Sequence, residues 1–530
     1  MRFLQVAICL LVFSLRPAGA ANFLAYGYGP SNRGSTSEKL NLPLSLVWRF
    51  VTAPRQYSGV TPLVVDKDMF YAAGPRGGYS SEKPALYCLD VETGAVKWNV
   101  STDEPARAVP VYANGLVWFG DDEGTLRAVD PAQQKAVWEL EIGQAIRTPI
   151  VASGNMIYFG TSGRAIYAVD TQKRKKVWVF RPGDEVYGAP AVDGRTLYLA
   201  ALDNALYALD ARTGMERWRY QLSPGAALFG SPVIGSRYIF LAAGKRLIAI
   251  GKYGQHVRTQ EFKNDLAGDP ALADGMLYVA MRGVGTGAVY GIEELHGRVK
   301  WRYPADPNAA SPVSPTCSPV VAGNLVLAGC SYGVTYALSA GDGKPLWRYL
   351  ARRPVDPPTT GLRYAATGHA VVANGSLYMT YDDGTLCRFT HGAPDIAGPA
   401  ITKMTPKPDS PMSAWPPFLV GANIYDEESG VDPSSVRLLL DGEELPCTLR
   451  LQNSDCFHRK APTDPAEPIA DGWHTVTVMA ADYVGNKTEK SWRFLADRNY
   501  VEKGAVETPG EGVLPSPGVV PPYYQEEDDR

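Results

Sequence analysis

The sequence predicts an all-β protein: an eight-bladed β-propeller of four-stranded blades, closed by the N-terminal strand and followed by a small β-sandwich. Two observations carry this prediction. A phrase ending in Trp, as in LYALDARTGMERW, returns about every forty residues, and each repeat contains four short alternating apolar stretches separated by Gly, Asn and Asp. Four-stranded units at this interval are typical of propellers and not of helical solenoids.

The interval is marked by one aromatic position at the end of each repeat. This position holds Trp98, Trp138, Trp178, Trp218, Arg258, Trp301 and Trp347 in turn. A Trp on the outermost strand can pack against the next blade, and burial of ~200 Å² of indole contributes up to about 5 kcal/mol. The Asp of the phrase and the Thr-Gly that follows it suit a turn. We therefore interpret the Trp and Asp positions as structural.

The eighth repeat is incomplete. It begins at His369 and ends near Phe389 without a Trp strand, whereas the stretch around Trp48 (LSLVWRF) precedes the first repeat and has no repeat of its own. Pairing the two would close the ring and remove both sheet edges. The propeller is accordingly assigned to residues 45–392, after a lead-in segment at 21–44.

Two further segments follow the propeller. Residues 397–497 contain alternating strand patterns with Asp-Gly and Gly-Asn turns, which predict an immunoglobulin-like β-sandwich with Trp473 and Trp492 in its core. Carboxylates at its turns, Asp426, Glu427 and Asp482, suit turn formation better than calcium binding, and no metal site is expected. Residues 498–530 are rich in Pro and Gly, end in EEDDR, and are expected to be a disordered tail.

The N-terminus has the pattern of a secretory signal peptide. Residues 1–20 contain Arg2, an apolar run and an Ala-Gly-Ala ending. Twelve apolar residues span about 18 Å as a helix, short of the ~30 Å of a bilayer core. Export to the periplasm or the cell exterior is therefore expected, with no membrane span. The formal net charge is −3 without a basic stripe, which argues against nucleic acid as a partner.

Six cysteines remain after cleavage, an even number for an oxidising compartment. Cys317 and Cys330 are placed symmetrically about a turn, and Cys447 and Cys456 bracket a second hairpin, so both pairs are disulfide candidates. Cys88 and Cys387 are left as a third pair by elimination only. No Cys-x-x-Cys or adjacent Cys pair occurs, so thiol redox chemistry, zinc clusters and covalent haem lack their ligands.

The repeat, P-x-V…Y-x-G…L-Y-A-L-D-x-x-T-G-x-x-x-W, resembles that of pyrroloquinoline-quinone (PQQ)-type propellers over about residues 27–390. Enzymes of that family hold the quinone on the propeller axis with Ca²⁺, an Asp base and often a vicinal disulfide. This chain lacks the vicinal disulfide and an assignable ligand set. The resemblance therefore implies a secreted, non-catalytic propeller acting as a binding or scaffold module in the cell envelope, with no cofactor. A PQQ- and Ca²⁺-dependent dehydrogenase and an extracellular carbohydrate-binding protein are the alternatives.

A binding site is expected at one end of the propeller axis. The insertions at 74–84, 304–316 and 351–368 converge on the face where each innermost strand begins, and loops there tend to carry function. Envelope proteins or glycans are the expected partners. The residues expected to ring this mouth are Arg107, Arg147, Tyr187, Phe229, Asp269, Arg282, Tyr332 and His369. For a glycan, Tyr79, Tyr332 and Tyr364 are the candidate stacking residues.

Overall fold

A computed structural model describes residues 26–51, 56–57, 61–75, 83–223, 228–283, 285–306, 311, 313–331, 333–351, 370–381, 385–450, 455–460 and 467–500. The predicted signal peptide, nearly all of the predicted tail, and the candidate residues Tyr79, Tyr332, Tyr364 and His369 lie outside these ranges. Within them the chain forms strands and only two short 3-10 helices, Tyr26–Tyr28 and Pro433–Ser435. The all-β prediction is confirmed.

The repeats form four-stranded antiparallel sheets, which we number 1 to 8 in chain order of their first strands. Their strands are, in sheet 1, Leu63–Val65, Asp68–Pro75, Ala85–Asp90 and Val96–Ser101; in sheet 2, Val111–Ala113, Leu116–Gly120, Thr125–Asp130 and Lys135–Glu141; in sheet 3, Val151–Ser153, Met156–Thr161, Ala165–Asp170 and Lys175–Phe180; and in sheet 4, Ala191–Asp193, Thr196–Ala201, Ala205–Asp210 and Glu216–Gln221.

The later sheets follow the same order. They contain, in sheet 5, Val233–Ile234, Tyr238–Ala243, Arg246–Gly251 and His256–Glu261; in sheet 6, Ala271–Ala273, Met276–Met281, Ala288–Glu293 and Val299–Tyr303; in sheet 7, Val320–Ala322, Leu325–Gly329, Val334–Ser339 and Pro345–Leu350; and in sheet 8, Val371–Ala373, Ser376–Thr380, Thr385–His391 and the N-terminal strand Leu44–Val51. Two short strands join them: Gln56–Tyr57 pairs with sheet 1, and Ser35–Thr36 runs parallel to the first strand of sheet 7.

Burial distinguishes the inner strands from the outer ones. In sheet 2 every residue of the second strand is buried, whereas the fourth strand has no buried residue and contains both half-buried and exposed positions. A strand covered on both faces is expected to be apolar throughout, and an outer strand is expected to alternate. The fourth strand, which carries the Trp, is therefore the outer one.

The recurring Trp and Gly are explained by one contact between neighbouring sheets. Trp178 on sheet 3 donates from Nε1 to the Ala211 carbonyl of sheet 4 over 3.1 Å. A Cβ on Gly214 would lie 2.6 Å from the Trp178 ring, and Gly214 has a φ of +75°, so only glycine fits there. Trp48 makes the same pair of contacts with Val91 and Gly94, and Trp301 makes them with Ala340 and Gly343.

The repeated Asp organises the turn that holds this glycine. Asp210 Oδ1 accepts hydrogen bonds from the backbone N–H groups of Arg212 and Thr213 at 3.0 and 3.1 Å. The Arg217 side chain and these N–H groups hold the pKa of Asp210 at about 2. Asp90 forms the same turn. The turn interpretation made from the sequence agrees with this geometry.

Arg258 occupies the Trp position of sheet 5 and reproduces the Trp contact by other means. Its guanidinium lies 5.8 Å from the Phe240 ring centroid and donates to the Glu294 carbonyl over 2.6 Å, the position that accepts from Trp Nε1 elsewhere. We expect Arg258→Trp to change the free energy of unfolding by less than about 1 kcal/mol, whereas Arg258→Ala should lose about 1–3 kcal/mol. Denaturant titration of both variants tests this, and equal losses would refute the equivalence.

The C-terminal part, residues 400–497, contains two sheets around one core. One sheet pairs Ala400–Thr405, Phe418–Tyr425, Asp455–Lys460 and Thr448–Arg450, and the other pairs Pro411–Ser413, Lys487–Asp497, Gly472–Ala481, Arg437–Leu440 and Glu443–Leu445. Both sheets contribute to one apolar cluster that includes Val420, Val476 and Trp492. Trp473 is not in this core: it is 52% exposed and carries the Arg493 guanidinium over its ring, because its side chain falls on the outward face of its strand.

One of the three candidate disulfides is present. Cys447 and Cys456 are bonded, with 6.0 Å between their Cα atoms. The other two candidate pairs are wrong in this structure, where Cys317, Cys330, Cys88 and Cys387 are buried and form no disulfide.

The register of the hairpin explains the first error. It would place Cys317 opposite Cys330, but the ladder stops at Val320 and Cys330 instead faces Pro315. Cys88 and Cys387 lie on the third strands of different sheets, 1 and 8, and elimination had no geometric basis for pairing them.

Candidate functional site

The lead-in segment runs along the inner strands of several sheets in succession. The carbonyls of Pro30, Ser31, Arg33 and Gly34 accept hydrogen bonds from Val192, Ile234, Leu272 and Val321, which lie on or at the first strands of sheets 4, 5, 6 and 7. Further along, the Glu38 carboxylate accepts from the backbone of Asn374 and Gly375 in sheet 8. Because these first strands line the middle of the repeat array, the lead-in fills that middle.

Asn32 fixes the lead-in at its centre. It is 3% exposed, and its Nδ2 donates to the carbonyls of Pro190 at 3.0 Å, Pro232 at 3.3 Å and Ala189 at 3.4 Å. Its φ is +51°, a conformation that Asn tolerates better than most residues. One side chain therefore joins sheets 4 and 5 to the lead-in.

A buried Tyr–Asp pair closes the bottom of the site. The Tyr26 hydroxyl donates to Asp269 Oδ2 over 3.0 Å, and the backbone N–H of Ser231 donates to Asp269 Oδ1 over 2.7 Å. Burial raises the pKa of both the Tyr26 hydroxyl and the Asp269 carboxyl. The sequence analysis predicted Asp269 at the rim. In the structure it is 7% exposed, lines the cavity and anchors the lead-in.

Above this pair lies an open cavity of about 740 Å³. Six of the eight predicted rim residues line it: Arg107, Arg147, Tyr187, Phe229, Asp269 and Arg282. The other two, Tyr332 and His369, are outside the described residues. The structure thus brings the described candidates together in one place, and a binding role for them remains a prediction.

The cavity wall combines cationic and aromatic side chains. Arg107 and Arg147 share the carboxylate of Asp122 at 2.6 and 3.4 Å, which orients both guanidinium groups. Tyr187 and Phe229 meet edge to face at 5.7 Å between centroids and are 45% and 60% exposed. Exposed, adjacent aromatic rings beside Arg are typical of a surface that contacts a partner. Two residues were missed from the sequence because nothing local marks them: Asp122, which pairs with both arginines, and Tyr26, which lines the cavity.

Three carboxylates also meet away from the cavity. One carboxylate oxygen from each of Asp395, Asp426 and Glu428 lies within 4.8 Å of the other two. Glu427 and Asp482, which the sequence analysis considered with Asp426, do not belong to this group. Burial first, and then repulsion from Asp395, Asp482 and Glu428, raises the pKa of Asp426 to about 6. The Asp426 carboxyl therefore keeps its proton to a higher pH than an ordinary aspartate does.

This shift predicts a pH dependence of stability. The pKa of Asp426 in the folded protein exceeds the usual value of about 3.9. The stabilisation of the folded state by protonated Asp426 is therefore complete below about pH 4 and is lost as pH rises through about 6. Asp426→Asn should raise the free energy of unfolding at pH 7.5 by up to about 3 kcal/mol and change it little at pH 4. Denaturant titrations at both pH values test this, and equal effects at the two would contradict it.

The fold and the cavity define a repeat propeller of the PQQ type. The sequence model of the family PQQ_2, described as outer membrane protein assembly factor BamB, matches residues 45–141, 122–249 and 225–416. These matches span more than half of the chain, and the protein belongs to this family. No curated protein matches the sequence. Within the described ranges, no helix has the length and apolar character needed to cross a membrane.

Solved structures show the same fold at low sequence identity. BamB from Moraxella catarrhalis is 19% identical, with a TM-score of 0.50, over 66% of this chain and 99% of its own. Quinohemoprotein alcohol dehydrogenase ADHIIG from Pseudomonas putida HK5 is 15% identical, with a TM-score of 0.56, over 73% and 84%. A europium-containing methanol dehydrogenase is 15% identical, with a TM-score of 0.55, over 68% and 89%. A protein of the assembly-factor family and two dehydrogenases thus share this fold.

Proposed function

We propose that the protein is an exported, non-catalytic eight-bladed propeller that binds an envelope protein through the mouth of its axial cavity. The single observation that carries the proposal is the convergence of Arg107, Arg147, Arg282 and the exposed Tyr187–Phe229 pair on that cavity. The family description, which names an outer membrane protein assembly factor, supports an envelope location. Cleavage of residues 1–20 during export is part of the proposal.

The eight-bladed ring is supported by the junction of sheets 8 and 1. Trp48, on the N-terminal strand of sheet 8, donates to Val91 of sheet 1 over 3.0 Å, and Gly94 lies against its ring. This repeats the contact that joins sheets 3 and 4. In our proposal the N-terminal strand therefore closes the ring, and residues 400–497 form an appended immunoglobulin-like sandwich.

A quinone cofactor fits the described residues poorly, and we propose that none is used. The lead-in fills the middle of the array with Tyr26 and Asn32, both buried. Within the described residues, two carboxylates line the cavity, Asp265 and Asp269. Asp269 already accepts hydrogen bonds from Tyr26 and Ser231. Ca²⁺ favours six to eight oxygen ligands, often from ionised carboxylates, whereas burial keeps Asp269 toward its neutral form.

A glycan remains the second candidate ligand because of the exposed Tyr187–Phe229 pair, since a sugar ring can pack on an aromatic face. Binding that is salt-insensitive and unaffected by loss of Arg147 would favour the glycan. Salt-sensitive binding that requires Arg147 would favour a protein partner.

The proposal is tested with a photo-crosslinking amino acid placed at Phe229 in the exported protein. We expect one discrete envelope partner to be captured, and Arg147→Glu in the same chain to reduce capture at least tenfold. The matched control carries the crosslinker at Met215, which is 71% exposed on the turn that leads into the outer strand of sheet 4. Equal capture from both positions, or capture unaffected by Arg147→Glu, would overturn the proposal.

A further inference from the structure

The sheet that closes the ring lacks the turn that every other junction uses. In sheets 1, 4 and 7 the third strand is joined to the fourth by a turn that begins with Asp or Ser and ends with Gly. The glycine of this turn contacts the Trp side chain of the preceding sheet. In sheet 8 the third strand ends at His391 and the fourth is the N-terminal strand, so no turn connects them. Trp347 of sheet 7 therefore has no such turn to dock on.

A loop of the C-terminal part lies in that place. Its sequence, Asp426-Glu427-Glu428-Ser429-Gly430, has the Asp-x-x-Ser/Thr-Gly pattern of the repeat turns DVETG at 90–94 and DARTG at 210–214. Asp426 Oδ1 accepts from the backbone of Glu428 at 3.1 Å and Gly430 at 2.7 Å, as Asp90 and Asp210 accept within their own turns. Sequence and local geometry both match the missing element.

The loop also supplies a carbonyl acceptor for the Trp347 indole, as the repeat turns do for the Trp of the preceding sheet. Trp347 Nε1 donates to the Ser429 carbonyl over 3.0 Å and to the Leu44 carbonyl over 3.1 Å. Trp48, Trp178 and Trp301 instead bond the carbonyl of the second residue of the turn in the next sheet. Ser429 is fully buried, so the contact excludes water.

Successive carbonyls of the loop accept hydrogen bonds from both sides of the junction between sheets 7 and 8. The Glu428 carbonyl accepts from the backbone of Leu46 in the N-terminal strand over 2.9 Å. The Glu427 carbonyl accepts from the Tyr349 hydroxyl of sheet 7 over 2.9 Å, and Arg49 of sheet 8 donates to the same hydroxyl over 2.9 Å. A Cβ on Gly430 would lie 2.6 Å from the Arg348 carbonyl, so the approach requires glycine.

We infer that the C-terminal part acts as a clasp for the propeller, its Asp426–Gly430 loop replacing the turn that the split sheet cannot form. The occupant of this docking surface is thus the chain's own module. The loop differs in two respects from the repeat turns. Trp347 bonds the carbonyl of the loop's fourth residue, Ser429, and not of its second, and Gly430 meets the backbone beside Trp347 and not the indole itself. The inference stands whether or not the cavity binds a partner.

The test compares Gly430→Ala with Gly442→Ala in the full chain. The two glycines have φ values of +87° and +86°, so the backbone strain of the substitution is alike, but a Cβ on Gly442 meets nothing within 4 Å. We expect Gly430→Ala to speed hydrogen exchange at least tenfold in Leu44–Val51 and Pro345–Leu350, and to leave Glu216–Gln221 on sheet 4 unchanged. Gly442→Ala should change none of these three strands.

Equal exchange in the two variants would overturn the clasp. A Gly430→Ala chain that fails to fold beside a folded Gly442→Ala chain would support it. Trp347→Phe supplies a milder test, since it keeps an aromatic ring in place but removes the Nε1 donor and part of the buried indole. Outside sheet 7, we expect faster hydrogen exchange in only one fourth strand, Leu44–Val51 of sheet 8. A uniform change across all sheets would contradict the inference.

Discussion

Trp178→Ala is expected to lower the free energy of unfolding by about 3–5 kcal/mol, the usual cost of removing a large buried aromatic side chain. The substitution removes the hydrogen bond to Ala211, the ring contact with Gly214 and the packing on Tyr158 at 5.8 Å between centroids. These three contacts hold sheet 3 together or join it to sheet 4, so both sheets should lose stability. Denaturant titration followed by intrinsic fluorescence and circular dichroism measures it.

The matched control is Trp415→Ala, because Trp415 is 43% exposed and lies in the C-terminal part. Its loss should stay below about 1 kcal/mol. Partner capture through the cavity should survive Trp178→Ala at temperatures where the variant is folded, since Trp178 does not line the cavity. A loss for Trp178→Ala no larger than that for Trp415→Ala would contradict the role assigned to the repeat Trp.

Asn32→Ala is expected to lower the free energy of unfolding by about 3 kcal/mol, since it leaves buried carbonyls without their donor and places Ala at a positive φ. Asn32→Gly separates the two causes. Glycine accepts this backbone conformation but cannot donate, so it should still lose more than about 2 kcal/mol. Stability of Asn32→Gly close to that of the unsubstituted protein would show that the side-chain hydrogen bonds do not hold the lead-in.

The repeat sheets could be predicted from the sequence because their determinants are local. Turn residues such as Asp210 and Gly214 act within a few positions of each other, and the Trp interval reports a contact that each repeat makes with the next. Part of the cavity lining was also predictable, because the direction of each strand decides at which end its preceding residue lies. Arg147 and Phe229 were assigned to one mouth on that basis and line one cavity.

The remaining features depend on contacts between distant segments. Asn32 bonds carbonyls 157 to 200 positions away, which no local pattern signals. Asp269 was assigned to the rim by its position before a strand, but Tyr26 of the lead-in covers it. The loop at Asp426–Gly430 did carry a sequence signal, since it repeats the turn pattern outside the repeat region. That signal has meaning only once the missing turn of sheet 8 is known.

In our proposal the lead-in occupies the propeller axis and leaves a cavity for a protein partner and not for a quinone. Calorimetric titration of the purified, signal-free protein with pyrroloquinoline quinone and Ca²⁺ tests it most directly. We predict no saturable heat or absorbance change, with or without Arg147→Glu. Saturable one-to-one binding that Arg147→Glu abolishes would contradict the claim and place this chain with the quinone enzymes.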